Sequence, residues 1–97
     1  MDHSATTFKF LLYIAGDAQN SADAVTNLNA ICTAYLIGRH QTEVIDVFQH
    51  PKRALDDGIF MTPTLVKLAP LPVKRIVGTL SQTSTVLQAL GLETSPR

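Results

Sequence analysis

The sequence predicts an α/β fold with the element order β-α-β-α-β-β-α, and three observations carry it. Phe8–Ala15 is a nearly unbroken apolar and aromatic run, as expected of a central strand covered on both faces. Apolar residues then recur at helical spacing from Ala24 to Leu36. Thr42–Phe48 returns to strand-like composition. Strand, helix and strand within so short a stretch predict a parallel βαβ unit with a right-handed crossover.

Each element has a local reason. Met1–Thr7 is polar and expected to fray. Gly16–Gln19 forms a loop. Asn20 or Ser21 suits a helix N-cap, and Asp23 is placed in the first turn, where the macrodipole favours it. Ala24, Val25, Leu28, Ile31, Cys32, Tyr35 and Leu36 make the buried face, and Gly38 is the expected C′ stop. The segment from His50 to Phe60 predicts a short helix with Pro51 at its first position and Leu55 and Ile59 on its apolar face. That helix is marginal. Lys52 and Arg53 sit at its positive end, and Asp56 and Asp57 at its negative end. Each such exposed charge opposes the dipole by about 0.3–1 kcal/mol. The Lys-to-Asp order is the weaker i,i+4 orientation, and Gly58 costs about 1 kcal/mol relative to Ala if it lies inside the helix. Thr62-Pro63-Thr64 leads into a strand, Leu65–Ala69. Pro70-Leu71-Pro72 cannot continue a central strand and makes a turn. Val73–Gly78 is the return strand of a hairpin. Ser81 or Thr83 caps a last helix with Val86, Leu87 and Leu90 apolar; Gly91 ends it, and Glu93–Arg97 is a short tail. There is no repeat, linker or low-complexity stretch.

Composition bounds the function. A chain of 97 residues has room for one small domain, with a core over about residues 8–92. With 45% hydrophobic and 16% charged residues it is not a disordered chain. Eight basic residues balance eight acidic ones. Such neutrality lacks the general electrostatic footprint of a nucleic-acid or anionic-membrane binder and favours self-association. Cys32 is the sole cysteine, which excludes an internal disulfide, a CxxC pair and a multi-Cys zinc site. His3, His40 and His50 sit at no metal-ligand spacing, so no metal and no cofactor is expected. Phe10–Ala15 is too short to span a bilayer, and no basic segment with a cleavage site precedes it. A soluble cytoplasmic protein is the expectation.

The element order is the thioredoxin-like one. In that fold the proline before the third strand is typically cis; from the residues alone, cis and trans Pro63 stand level. The redox site of the fold would occupy Ala15–Ser21, which has no cysteine and hence no thiolate for disulfide exchange. Cys32 falls at a helical core position and is expected to be a small buried hydrophobe. No histidine is placed to activate Ser21, which favours its reading as a cap. Asp46, a carboxylate in an apolar strand, is expected at a strand end or paired with a neighbour. Two classes remain: a binding module on a redox scaffold without redox chemistry, and an enzyme using the fold for glutathione or peroxide. The sequence favours the first.

Leu12-Tyr13-Ile14-Ala15-Gly16, Asn20-Ser21, Ala24, Leu28-Asn29 and Ile31 resemble the N-terminal signature of the KaiB family of circadian-clock proteins. Val44-Ile45-Asp46-Val47, His50-Pro51, Asp57, Ile59, Thr62-Pro63-Thr64-Leu65, Lys67 and Pro70 continue the likeness, and Pro72–Gly78 with Leu80-Ser81 completes it. The resemblance implies a non-enzymatic partner of KaiC, a hexameric ATPase bound at its N-terminal ring, with KaiA or a histidine kinase as further partners. It implies Lys67, Lys74 and Arg75 as partner-binding residues. It also implies a metamorphic protein, with a tetramer-forming ground-state fold and a thioredoxin-like state that differ after about residue 48. Ala89 and Gly91 favour the last helix, so the thioredoxin-like state is expected to dominate, as a monomer or small oligomer rather than an obligate tetramer. Many family members carry basic residues where this chain has Asp23, Thr26, Glu43 and Gly58, Leu71 interrupts a common run of three prolines, and the acidic C-terminal extension of many members is missing. Those departures keep a second reading open, a stress or signalling adaptor working with a KaiC-like ATPase outside a clock. A third, a sensor domain of clock histidine kinases, is opposed by the short chain.

Overall fold

The computed structural model describes residues 6–92. The expectations for residues 1–5 and for the Glu93–Arg97 tail lie outside the described residues. The elements are β1 (Phe8–Ile14), α1 (Gln19–Tyr35), β2 (His40–Asp46), α2 (Pro51–Asp56), β3 (Thr64–Ala69), β4 (Lys74–Val77) and α3 (Thr83–Leu90). They follow the predicted order. The sheet runs β2-β1-β3-β4, with β1 and β2 parallel and the β1–β3 and β3–β4 pairs antiparallel.

β1 is central and buries both faces, which explains its nearly continuous apolar sequence. Phe8, Phe10 and Leu12 point to α1 and α3, where Ala24, Leu28, Ile31, Cys32, Leu36, Leu65, Val86, Leu87 and Leu90 complete the main core. Leu11 and Tyr13 point the other way, into a smaller core with Ile45, Ala54, Ile59 and Val66 beneath α2. The strand alternation therefore divides the molecule into a thick side and a thin one.

Several helix ends differ from the sequence-based expectation. Helix α1 begins at Gln19 with Ala18 as N-cap and no side-chain cap, so neither Asn20 nor Ser21 caps it. Ser21 is its third residue, and Asp23 falls beyond the first turn, where Gln19 Nε2 donates to its carboxylate at 2.8 Å. The helix ends at Tyr35, whose side chain is exposed, and Gly38 lies in the following turn rather than at C′. Helix α3 has Gln82 as N-cap, not Ser81 or Thr83, again without a side-chain bond. In α2, Pro51 does occupy the first position, but Leu55 faces solvent and Ala54 is the buried residue.

Gly58 is the most instructive correction. It lies just past α2 at φ +70°, not inside it. The Gly58 amide donates to Leu55 O at 3.0 Å and the Ile59 amide to Ala54 O at 2.9 Å, the paired bonds of a Schellman stop. Its left-handed backbone ends the helix and seats Ile59 beside Ala54 in the thin core. Gly91 does the same for α3 at φ +79°, with the Leu92 amide on Leu87 O at 2.7 Å.

Candidate functional site

The segment that would carry redox chemistry in this fold is built as a hydrogen-bonded loop. The buried Ser21 hydroxyl accepts from the Ala15 amide at 3.0 Å. Asp46 Oδ1 accepts from the Gly16 amide at 3.1 Å and the Phe48 amide at 2.9 Å, tying the loop after β1 to the loop after β2. Phe48 lies against Gly16 closely enough that a β-carbon there would stand 3.3 Å from its ring. Ser21 and Asp46 thus satisfy backbone donors. Cys32 is buried in the thick core, and burial pushes its thiol pKa up, against a smaller lowering by the Thr42 hydroxyl. Thr62–Pro63 is cis, as are Ala69–Pro70 and Leu71–Pro72, and Pro63 O accepts from the Gly78 amide at 2.9 Å. Among the described residues, no three His, Cys, Asp or Glu side chains are grouped so as to hold a metal ion.

The three candidate partner-binding residues do not form one patch. Lys67 and Lys74 are direct partners across the β3–β4 ladder and lie on the α1/α3 side. Arg75 pairs with Val66 and lies on the α2 side. This split follows from the period-2 alternation of a strand: neighbours such as Lys74 and Arg75 must face opposite ways. Nor is Lys67 on a solvated face. The residue is only 4% exposed, with its ammonium 5.9 Å from the centroid of the Phe8 ring. Burial, and then the Lys74 charge, hold its pKa below the ordinary lysine value. Among the described residues no carboxylate pairs with either lysine. Arg75 is engaged: its guanidinium donates to the carbonyls of Asp57 and Gly58, the latter at 3.2 Å.

A further feature escaped the sequence analysis. Phe60 and Met61 are strongly exposed, on a hollow of about 140 Å³ that also touches Ile59, Thr64, Arg75 and Val77. The available signal was three successive apolar residues, Ile59-Phe60-Met61, which have no helical or strand period.

A family model described as the KaiB domain matches residues 11–92. The chain belongs to the KaiB family. Circadian clock protein KaiB3 of Synechocystis sp. is 42% identical over 85 residues, covering 88% of this chain and 81% of that protein. Circadian clock oscillator protein KaiB of Synechococcus elongatus is 43% identical over 86 residues, covering 89% and 84%. Among solved structures, the N-terminal domain of Synechococcus elongatus SasA superposes with a TM-score of 0.73 at 20% identity, covering 100% of this chain and 95% of that one. Chloroplastic thioredoxin z gives 0.74 at 21% identity, covering 92% and 80%. This KaiB-family chain is therefore thioredoxin-like in fold. Among its described residues no helix is long and apolar enough to cross a membrane.

Proposed function

We propose that this protein is a clock-type regulatory adaptor, without catalysis of its own, that binds a KaiC-type hexameric ATPase through an acidic surface on that partner. Membership of the KaiB family sets the class. The observation that carries the reading is the Lys67–Lys74 pair. Like charges directly opposite in an antiparallel ladder are destabilising, and desolvation of the Lys67 ammonium adds to the cost. A partner carboxylate placed between the two ammonium groups would relieve both. Such contacts act mainly on encounter rate and salt dependence. Localisation in the cytoplasm, and a second fold of the half after residue 48, belong to the same reading.

The test is binding of the purified chain to the KaiC-type ATPase of its host, across a salt series. Lys74→Glu is expected to weaken binding at low salt. Unchanged affinity of Lys74→Glu would remove the lysine pair from the interface, and failure of the unsubstituted chain to bind that ATPase would remove the partner. A second reading, an adaptor working outside a clock, is favoured by Glu43. Its carboxylate is held in a two-pronged contact by Arg53, with both N···O distances 2.8 Å, so the β2 edge presents an acidic residue already engaged.

A further inference from the structure

Helix α2 is attached to the sheet in an unusual way. It has six residues, and one of them, Ala54, is buried. A helix so short has no stability of its own in water, and His50 gives it no side-chain cap. Its apolar contribution is Ala54 together with Ile59 just beyond the stop. What holds it is polar and concentrated at its C-terminal end. The Tyr13 hydroxyl, on β1, donates to the Asp57 carboxylate. The Arg75 guanidinium, on β4, donates to the Asp57 and Gly58 carbonyls. These two strands flank β3, so the turn is gripped from both sides above Val66. A guanidinium at this end also opposes the partial negative charge of the helix terminus. Arg53, in the last turn, also holds Glu43 of β2 through two 2.8 Å contacts, and Lys52 pairs with Asp56 along the helix; both pairs lie on exposed surface, where such bridges contribute little.

We propose that α2 is a flap fastened to the sheet by Tyr13 and Arg75, and that it opens as a unit while the rest of the fold stays intact. Opening bares Tyr13, Ile45 and Val66, the sheet side of the thin core. The thick core, which holds α1 and α3, is on the other face and is not disturbed. Arg75 is thus a positioning residue for α2, and the loss of α2 order, rather than of a partner contact, is the primary consequence of removing it.

Native-state hydrogen exchange on the full chain tests this. The reporter amides are those of Ala54, Asp57, Gly58 and Ile59, which donate within the flap and its stop; the reference amides are those of the β1–β3 ladder. Arg75→Gln is expected to speed exchange at the reporters by tenfold or more while the references change by less than twofold. Arg75→Lys, which keeps the charge but loses the fork, should give a smaller rise at the same four amides, and Tyr13→Phe should affect the same set. Unchanged reporters in Arg75→Gln and Tyr13→Phe would overturn the proposal. So would a parallel rise of reporters and references, or an Arg75→Gln chain that does not fold, since either would make Arg75 part of the global fold rather than a flap fastening.

Discussion

Tyr13 offers the sharpest test of how the thin side is held, because its contribution has a pH signature. The phenol is buried against the sheet and donates to Asp57, and its pKa is pushed up to about 12, first by burial and then by that carboxylate. The ordinary value is 10.0. Between those values the unfolded chain has released the proton and the folded chain still holds it. Stability from this group is therefore complete below pH 10 and is lost as pH rises toward 12. A rise of that size corresponds to roughly 3 kcal/mol. Tyr13→Phe keeps the ring packing and removes the donor. At pH 7 the loss should be about 1.5–3 kcal/mol, the range for a hydrogen bond to a charged group, and toward its lower end because water can reach the half-exposed Asp57. The gap should then close and reverse as pH rises, because a buried phenolate is a cost that the variant never meets. Urea unfolding followed by circular dichroism from pH 7 to the alkaline limit gives the difference directly. Lysine titration affects both proteins alike and cancels. A gap between them that stays constant with pH would refute the assignment of the shift to the Tyr13 phenol.

Four other substitutions have expected outcomes. Lys74→Glu converts a like-charge cross-strand pair into an opposite-charge one, so it should stabilise the fold by about 0.2–1 kcal/mol at low salt while weakening an acidic partner; urea melts and a binding titration separate the two. Gly91→Ala meets no atom within 4 Å but must hold φ +79°, so its loss should be the conformational cost alone, about 1–2 kcal/mol in thermal or urea melts, and Ala89→Gly should weaken α3 by about 1 kcal/mol through helix propensity. Cys32→Ala should lower stability by about 1–2 kcal/mol from the small void it leaves, while insulin reduction stays at background in both proteins; turnover in the native chain that vanishes in the variant would show a reactive thiol.

The order and kind of every element were legible in the sequence, because β1 and the helices of the thick side carry their periods strongly and the glycines and prolines punctuate the rest. Phe8, Phe10 and Leu12 against Leu11 and Tyr13 make a two-faced strand, and Leu28, Ile31 and Cys32 a one-faced helix. The helix starts were not legible, because Ser21, Ser81 and Thr83 look like caps and are not. Ser21 is drawn to the Ala15 amide instead, and the first residues of α1 and α3 follow Ala18 and Gln82 without a side-chain bond. Gly58 was misplaced for a similar reason: propensity alone cannot tell a glycine that weakens a helix from one that ends it. At the candidate site, residue types were readable and grouping was only half so. Alternation alone separates Arg75 from Lys74, but that Lys67 lies nearly buried against Phe8 depends on the β1–β3 register, which sets Lys67 opposite Phe10.

The unequal faces of the sheet suggest why polar contacts matter so much in the second half of the chain. The α1/α3 side gathers thirteen buried residues into one cluster, the α2 side six. Leu→Ala substitutions at fully buried sites cost about 2–5 kcal/mol, so Leu12, Leu28 or Leu65 can hold the thick side with dispersion and burial alone. Ala54 has no comparable side chain to contribute, and Ile59 is a single large one. Ordering a residue costs about 1–2 kcal/mol in backbone entropy. A segment running from Pro51 to Ile59 therefore cannot be secured by two apolar contacts. The hydrogen bonds from Tyr13 and Arg75 add to them, and bonds of that kind respond to pH and salt in a way that buried leucines do not. The physical expectation is that local opening of this fold begins at the Asp57–Gly58 turn and reaches β1, α1 and the β1–β3 pairing last.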